Sequence, residues 1–116
     1  MTRVLTGGTF NKIHKGHVEL LKRAKKLGHL IVVIAHNNHN KKPYTIPAEK
    51  RKKIVEKLKI AEKVIIGDHD RFAGVIEREK PDVIVLGYDQ NLPDKETKEL
   101  VAKMGIKVIR LKKFSV

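Results

Sequence analysis

Two histidines, His14 and His17, stand three residues apart with Lys15 and Gly16 between them, shortly after a Gly7-Gly8-Thr9-Phe10 segment. Glycine lets main chain come close to a phosphate, and the first turn of a helix offers unpaired N–H groups with a partial positive charge. Two histidines at this spacing on a first helical turn point to the same side. Each ring can donate a hydrogen bond to a phosphoryl oxygen whose charge grows during transfer, and stabilisation of that kind is usually the largest catalytic contribution. Two plainer uses compete: a histidine that only caps its helix, and a zinc site made by two histidines on neighbouring turns. The pair lacks a third ligand nearby in sequence, so no metal-ligating set is assigned. Its place after a strand and before a helix selects the phosphate reading over the cap.

Those residues need elements to hold them, and the chain alternates in a way that supplies them. Thr2 to Thr6 reads as a buried strand, with Gly7-Gly8 as a turn and a loop to Lys15. Gly16 to Leu27 has helical spacing, with Val18, Leu21, Ala24 and Leu27 on one stripe and Gly28 where a C-terminal cap is expected. Leu30 to Ala35 is a second strand, and His36 to Ile46 is a polar loop. Pro47 suits the first turn of a helix reaching Leu58, with Ile54, Val55 and Leu58 facing inward. Lys63 to Ile66 is a third strand, Phe72 to Glu79 a helix stopped by Pro81, and Val83 to Leu86 a fourth strand. Lys95 to Met104 is a helix capped by Gly105, and Ile106 to Leu111 is a fifth strand.

Continuous apolar strands separated by helices predict a parallel sheet covered on both faces. The expected fold class is a single doubly wound, Rossmann-like α/β domain over residues 1–116, with a five-stranded parallel sheet in the order 3-2-1-4-5. Ligands of such sheets sit beyond the carboxyl ends of the strands, where the strand order reverses. Chemistry is therefore expected from Gly7 to Lys15, His36 to Ile46, Gly67 to Arg71 and Gly87 to Pro93.

Composition narrows the classes. The 116 residues suffice for one modest core, and the absence of cysteine excludes disulfides, zinc thiolates and a cysteine nucleophile. No apolar run approaches the roughly 20 residues of a membrane span, and Met1-Thr2-Arg3 has no signal-peptide layout. A cytoplasmic location and no membrane partner are expected. The 26 Lys and Arg against 13 acidic residues give a formal charge of +13. That field attracts anions such as nucleotides or nucleic acid, although lysines also coat the helices of heat-resistant proteins. Few aromatics are present for stacking bases, so nucleic acid is not the expected partner.

Thr6-Gly7-Gly8-Thr9-Phe10-Asn11 with His14-Lys15-Gly16-His17 resembles the signature of the cytidylyltransferase-like nucleotidyltransferases, Gly-Thr-Phe-Asp followed by His-x-Gly-His. The resemblance spans nearly the whole chain. Lys41-Lys42-Pro43, Ile46-Pro47-Ala48-Glu49-Lys50-Arg51, Val64-Ile65-Ile66-Gly67 and Pro81 through Gln90 are most similar to archaeal-type FAD synthases, with glycerol-3-phosphate cytidylyltransferases next. The resemblance implies that His14 and His17 contact the triphosphate and stabilise the transition state. It implies that Thr9 and Phe10 supply backbone contacts to the phosphates, and that Lys41 or Lys42 reaches the phosphates or the acceptor, Lys42 catalytically. Asn11 would touch phosphate or substrate, Arg51 would hold an anionic group, and Gly87 and Asp89 would line the nucleoside pocket. It further implies in-line displacement with a divalent cation, usually Mg2+, and a homodimer.

By their types alone, Lys41 and Lys42 also fit solvated loop charges. Arg51 lies in Lys50-Arg51-Lys52-Lys53, a run typical of a solvated helix face, and Asp89 fits a plain turn. His36 and His39 could touch substrate and Asp68-His69-Asp70 could form a weak metal site, but solvated loop histidines and a polar turn are the expected readings. Asn11 replaces the family's usual Asp, which bears on metal binding. The family's Ser/Thr-rich motif and last helix follow the fifth strand, whereas this sequence reaches Phe114-Ser115-Val116 there; the motif is expected in a tail beyond it, the alternative being a degenerate member with impaired phosphate binding. The expected activity is adenylyl transfer from ATP to FMN, giving FAD and pyrophosphate. The alternatives are a CTP-using cytidylyltransferase acting on glycerol 3-phosphate or a similar small phosphate, and a non-catalytic nucleotide- or RNA-binding module.

Overall fold

The structure is a computed structural model and describes residues 2–8, 10, 13–36, 46–68, 72–88 and 90–112. Five strands alternate with four helices: β1 (Arg3–Gly8), α1 (Lys15–Lys25), β2 (His29–Ile34), α2 (Ala48–Lys57), β3 (Lys63–Ile66), α3 (Phe72–Glu79), β4 (Val83–Leu86), α4 (Lys95–Met104) and β5 (Lys107–Arg110). All pairings are parallel, in the order β3-β2-β1-β4-β5, as the sequence predicts.

The core follows the two-residue period of a strand. Leu30, Val32 and Ile34 of β2 join Val4, Leu21, Ala24 and Val55 in the layer under α1 and α2. The alternate residues Ile31 and Val33 join Leu5, Val75, Ile76 and Val101 under α3 and α4. Five successive buried apolar residues explain why β2 carries no polar face; each contributes about 1.5–3 kcal/mol relative to exposure. Gly105 closes α4 in the left-handed conformation (φ 68°), its N–H bonding the Ala102 carbonyl, and Asp94 opens it by accepting from the Thr97 N–H at 2.7 Å.

Local readings of the sequence need correcting in three places. Gly7 and Gly8 are not a turn: they continue β1, in register with Val33 and Ile34. A Cβ on Gly7 would stand 3.2 Å from the Val33 carbonyl, so glycine serves close strand approach there. Gly28 does not cap α1, whose C-cap is Lys26; the helix ends early and leaves Leu27 40% exposed. On α2 the inward stripe is Ala48, Arg51 and Val55, spaced three and four residues apart, which turns Ile54 outward.

Candidate functional site

The chain leaves β1 through Phe10, whose backbone adopts φ 53° while its ring is 1% exposed. A non-glycine residue in this region costs about 1–3 kcal/mol, and burial of a phenyl ring offsets it. The Phe10 ring lies 5.3 Å from that of His17, between centroids, and so backs the histidine from the core side.

His14 is the N-cap of α1, in extended backbone (φ −135°, ψ 177°). Its Nδ1 accepts from the Gly16 N–H at 3.0 Å, while the His14 N–H donates to Nδ1 of His17 at 3.3 Å. This is a reciprocal capping box in which imidazoles replace the usual hydroxyl and carboxylate. The rings stack at 3.9 Å with 27° between planes. Since both Nδ1 atoms accept, a neutral ring at either position carries its proton on Nε2. A Cβ on Gly16 would meet His14 Cε1 at 2.8 Å, so glycine between the histidines is what lets the His14 ring fold over the helix start. The first turn of α1 holds no acidic residue, so no carboxylate within it offsets the positive end of the helix. The cap engages Nδ1 of both rings and sets their orientation.

Next to this turn, where strand order reverses between β1 and β4, a cavity of about 450 Å³ opens beyond the carboxyl ends of the strands. Its floor is apolar, from Leu5, Val33, Phe72, Ile84 and Leu92, and its rim carries His36, Asp68, Gln90 and Asn91. His14 and His17 do not line it, whereas Gly7 and Gly8 at the end of β1 do. Nη1 of Arg78 bonds both oxygens of Asp68 at 2.8 and 2.9 Å, fixing the β3 exit to α3. Gly87, at the β4 exit, donates its N–H to Oε1 of Gln90 at 2.7 Å, and Nε2 of Gln90 donates to the Gly7 carbonyl at 3.0 Å.

Of the residues singled out in the sequence, Phe10, His14 and His17 are brought into contact, and Gly87 lies across the switch point from Gly7. Arg51 is not on a solvated face. Its side chain is fully buried, its Nε donates to the Ile46 carbonyl at 2.6 Å, and burial lowers its pKa from the ordinary arginine value. Thr9, Asn11, Lys41, Lys42 and Asp89 lie outside the described residues, as do His39, His69 and Asp70. His36, set aside as a loop residue, is a half-buried part of the cavity rim. Sequence reading missed Gln90, Phe72 and the Asp68–Arg78 pair. The available signals were that Gln90 lies in the stretch leaving the fourth strand and ends the Pro81–Gln90 segment that carries the family resemblance. Among the described residues no group of three or more histidines and carboxylates is placed to hold a metal, and no helix is long and apolar enough to cross a membrane.

Residues 5–114 match the profile of the cytidylyltransferase-like family. The chain is 43% identical over 118 residues to the FAD synthase of Ferroglobus placidus, covering 97% of this chain and 77% of that protein. It is 45% identical over 119 residues to the FAD synthase of Archaeoglobus profundus, covering 97% and 76%. A crystal structure from Thermoplasma volcanium, named a lipopolysaccharide core biosynthesis protein, superposes with a TM-score of 0.87 at 34% identity over 99% of both chains.

Proposed function

The chain belongs to the cytidylyltransferase-like family, and within it we infer that the protein is an FAD synthase, a nucleotidyltransferase that passes AMP from ATP to FMN. A phosphate oxygen of FMN attacks the α-phosphorus of ATP in line. The bond from that phosphorus to the bridging oxygen breaks, and pyrophosphate departs with the electron pair. Such a transfer needs no enzyme nucleophile; positioning and charge neutralisation carry the rate.

The observation that carries the site assignment is the imidazole capping box. It holds two Nε2–H donors side by side at the positive end of α1, with the rings 3.9 Å apart. In our reading His14 and His17 bond oxygens of the triphosphate and tighten as negative charge builds on them. Main chain at Thr9 and Phe10 meets the phosphates, with Asn11 alongside. Lys41 and Lys42 bring further positive charge from the loop after β2, Lys42 acting in the chemical step. Arg51 adds a buried cation, its Nε donating to the Ile46 carbonyl. Gly87 and Asp89 border the nucleoside, and the apolar cavity takes the flat ring system of the acceptor, the kind of body such a lining favours.

Mg2+ is the expected cation. The donor set suits one carried mainly by phosphate oxygens, as Mg2+ often is, since the described residues offer no carboxylate cage. Bound there, it would neutralise charge on the departing pyrophosphate. A homodimer is the expected assembly, and a solution mass of 13.2 kDa would contradict it.

Pyrophosphate release tests the substrate pair, using ATP or CTP against FMN or glycerol 3-phosphate. Release with ATP and FMN alone is expected. Release with CTP and glycerol 3-phosphate, and none with ATP and FMN, would overturn the reading.

A further inference from the structure

We propose that Gln90 is a positioning residue that sets the crevice between the β1 and β4 exits, and with it the distance at which the His14–His17 turn meets the nucleotide bordered by Gly87. The proposal rests on the adenylyltransferase reading above.

The ladder between the two central strands is short. β1 pairs with β2 through all six residues from Arg3 to Gly8, yet pairs with β4 only at Val4↔Val83 and Leu5↔Ile84. Beyond Leu5 no further β1–β4 pair forms among the described residues, and side-chain hydrogen bonds connect the two strands instead. The buried Thr6 hydroxyl donates to the Val85 carbonyl at 2.9 Å. One step further out, Gln90 spans the gap by donating from Nε2 to the Gly7 carbonyl and accepting at Oε1 from the Gly87 N–H.

This job demands its residue type. A primary amide donates at one end and accepts at the other, whereas a carboxylate cannot donate to Gly7 and an aliphatic chain can do neither. Asparagine is one methylene shorter. The strut is also anchored at its base. The Gln90 N–H bonds the Gly87 carbonyl at 3.1 Å, and the Gln90 carbonyl accepts from the Arg110 guanidinium. Nη2 of Arg110 bonds Oδ1 of Asn91 at 3.0 Å, which ties the arrangement to β5. The fit is close: a Cβ on Gly87 would stand 3.2 Å from Gln90 Oε1. Because both ends of the amide are engaged by main chain, Gln90 acts through Gly7 and Gly87 and not by reading substrate.

The test uses Gln90→Glu and Gln90→Met in the full chain. In Gln90→Glu, a carboxylate oxygen faces the Gly7 carbonyl; in Gln90→Met, similar length is kept and both bonds are lost. Misplacement by about 1 Å costs on the order of 100-fold in rate, so kcat with ATP and FMN is expected to fall by about that factor in both variants. The Kd for ATP is expected to stay within about three-fold, since phosphate contacts position without needing transition-state alignment. In ligand-free protein, hydrogen exchange at the Gly87 N–H is expected to speed up about ten-fold or more in Gln90→Met as its acceptor is lost. That readout tests the strut without any turnover, so a parent enzyme inactive with ATP and FMN would count against the adenylyltransferase reading alone. A kcat within about two-fold of the parent in a folded variant, or unchanged exchange at Gly87, overturns the role of Gln90. Should Gln90→Glu fail to fold, Gln90→Met carries the same criteria.

Discussion

The two ends of the sheet use charge in opposite ways. At the amino-terminal end, acidic side chains are matched to cations and main chain. Glu79, 8% exposed, receives Arg3 at 3.2 Å and Lys63 at 2.9 Å, and its carbonyl takes the Arg3 Nε at 2.8 Å. Asp82 accepts from the Arg3 N–H at 2.7 Å, and Glu62 accepts from the Leu30 N–H at 2.7 Å while pairing with Lys25. At the carboxyl end, α1 begins with two imidazoles and no carboxylate in its first turn. Asp68, on the cavity rim, is tied to Arg78. One end closes its electrostatics internally and holds strands to helices. The other gathers imidazoles at the start of a helix, where we propose the triphosphate binds.

This contrast is most easily broken at the histidines. If His17 donates to the developing charge as proposed, alanine there is expected to lower kcat/KM by about 100- to 1,000-fold. Melting temperature should move only by the loss of one cap, about 1 kcal/mol; steady-state kinetics and calorimetry on one preparation check both. Gly16→Ala probes the same end more gently. Its methyl displaces the His14 ring without removing it, so kcat should drop by about 10- to 100-fold with little change in ATP affinity.

The amino-terminal end should respond in the opposite sense. Glu79→Ala leaves two cations without their shared carboxylate, but Arg3 and Lys63 are 36% and 48% exposed and can rehydrate. A loss of about 1–2 kcal/mol is expected, with kcat per folded molecule unchanged. Urea unfolding beside kinetics measures it, and a large kcat loss there would blur the division between the two ends. Asp68→Asn should have the smallest effect, under about 1 kcal/mol, since Arg78 is 52% exposed.

How far each region was readable follows from the range of its interactions. The buried run Leu30 to Ile34 identifies a two-sided strand from five adjacent letters, and Asp94 and Gly105 mark both ends of α4. The histidine turn was legible because its geometry depends on residues within three positions. Gln90 was not, since its bond to Gly7 spans 83 residues and no local pattern distinguishes such an amide from a solvated one. Arg51 was hidden in a lysine- and arginine-rich run, where only helix phase decides which cation turns inward. Gly7-Gly8 misled because a glycine pair signals a turn and close strand approach equally well.

We propose that the histidine turn promotes attack on the α-phosphorus of ATP by FMN. The most direct measurement is label transfer from ATP labelled at the α-phosphate, and separately at the γ-phosphate, to FMN, in the parent and in His17→Ala. The account predicts α-label in FAD, γ-label only in pyrophosphate, and initial rates reduced by about 100-fold or more in the variant. α-Label absent from FAD, or transferred equally fast without His17, would contradict it.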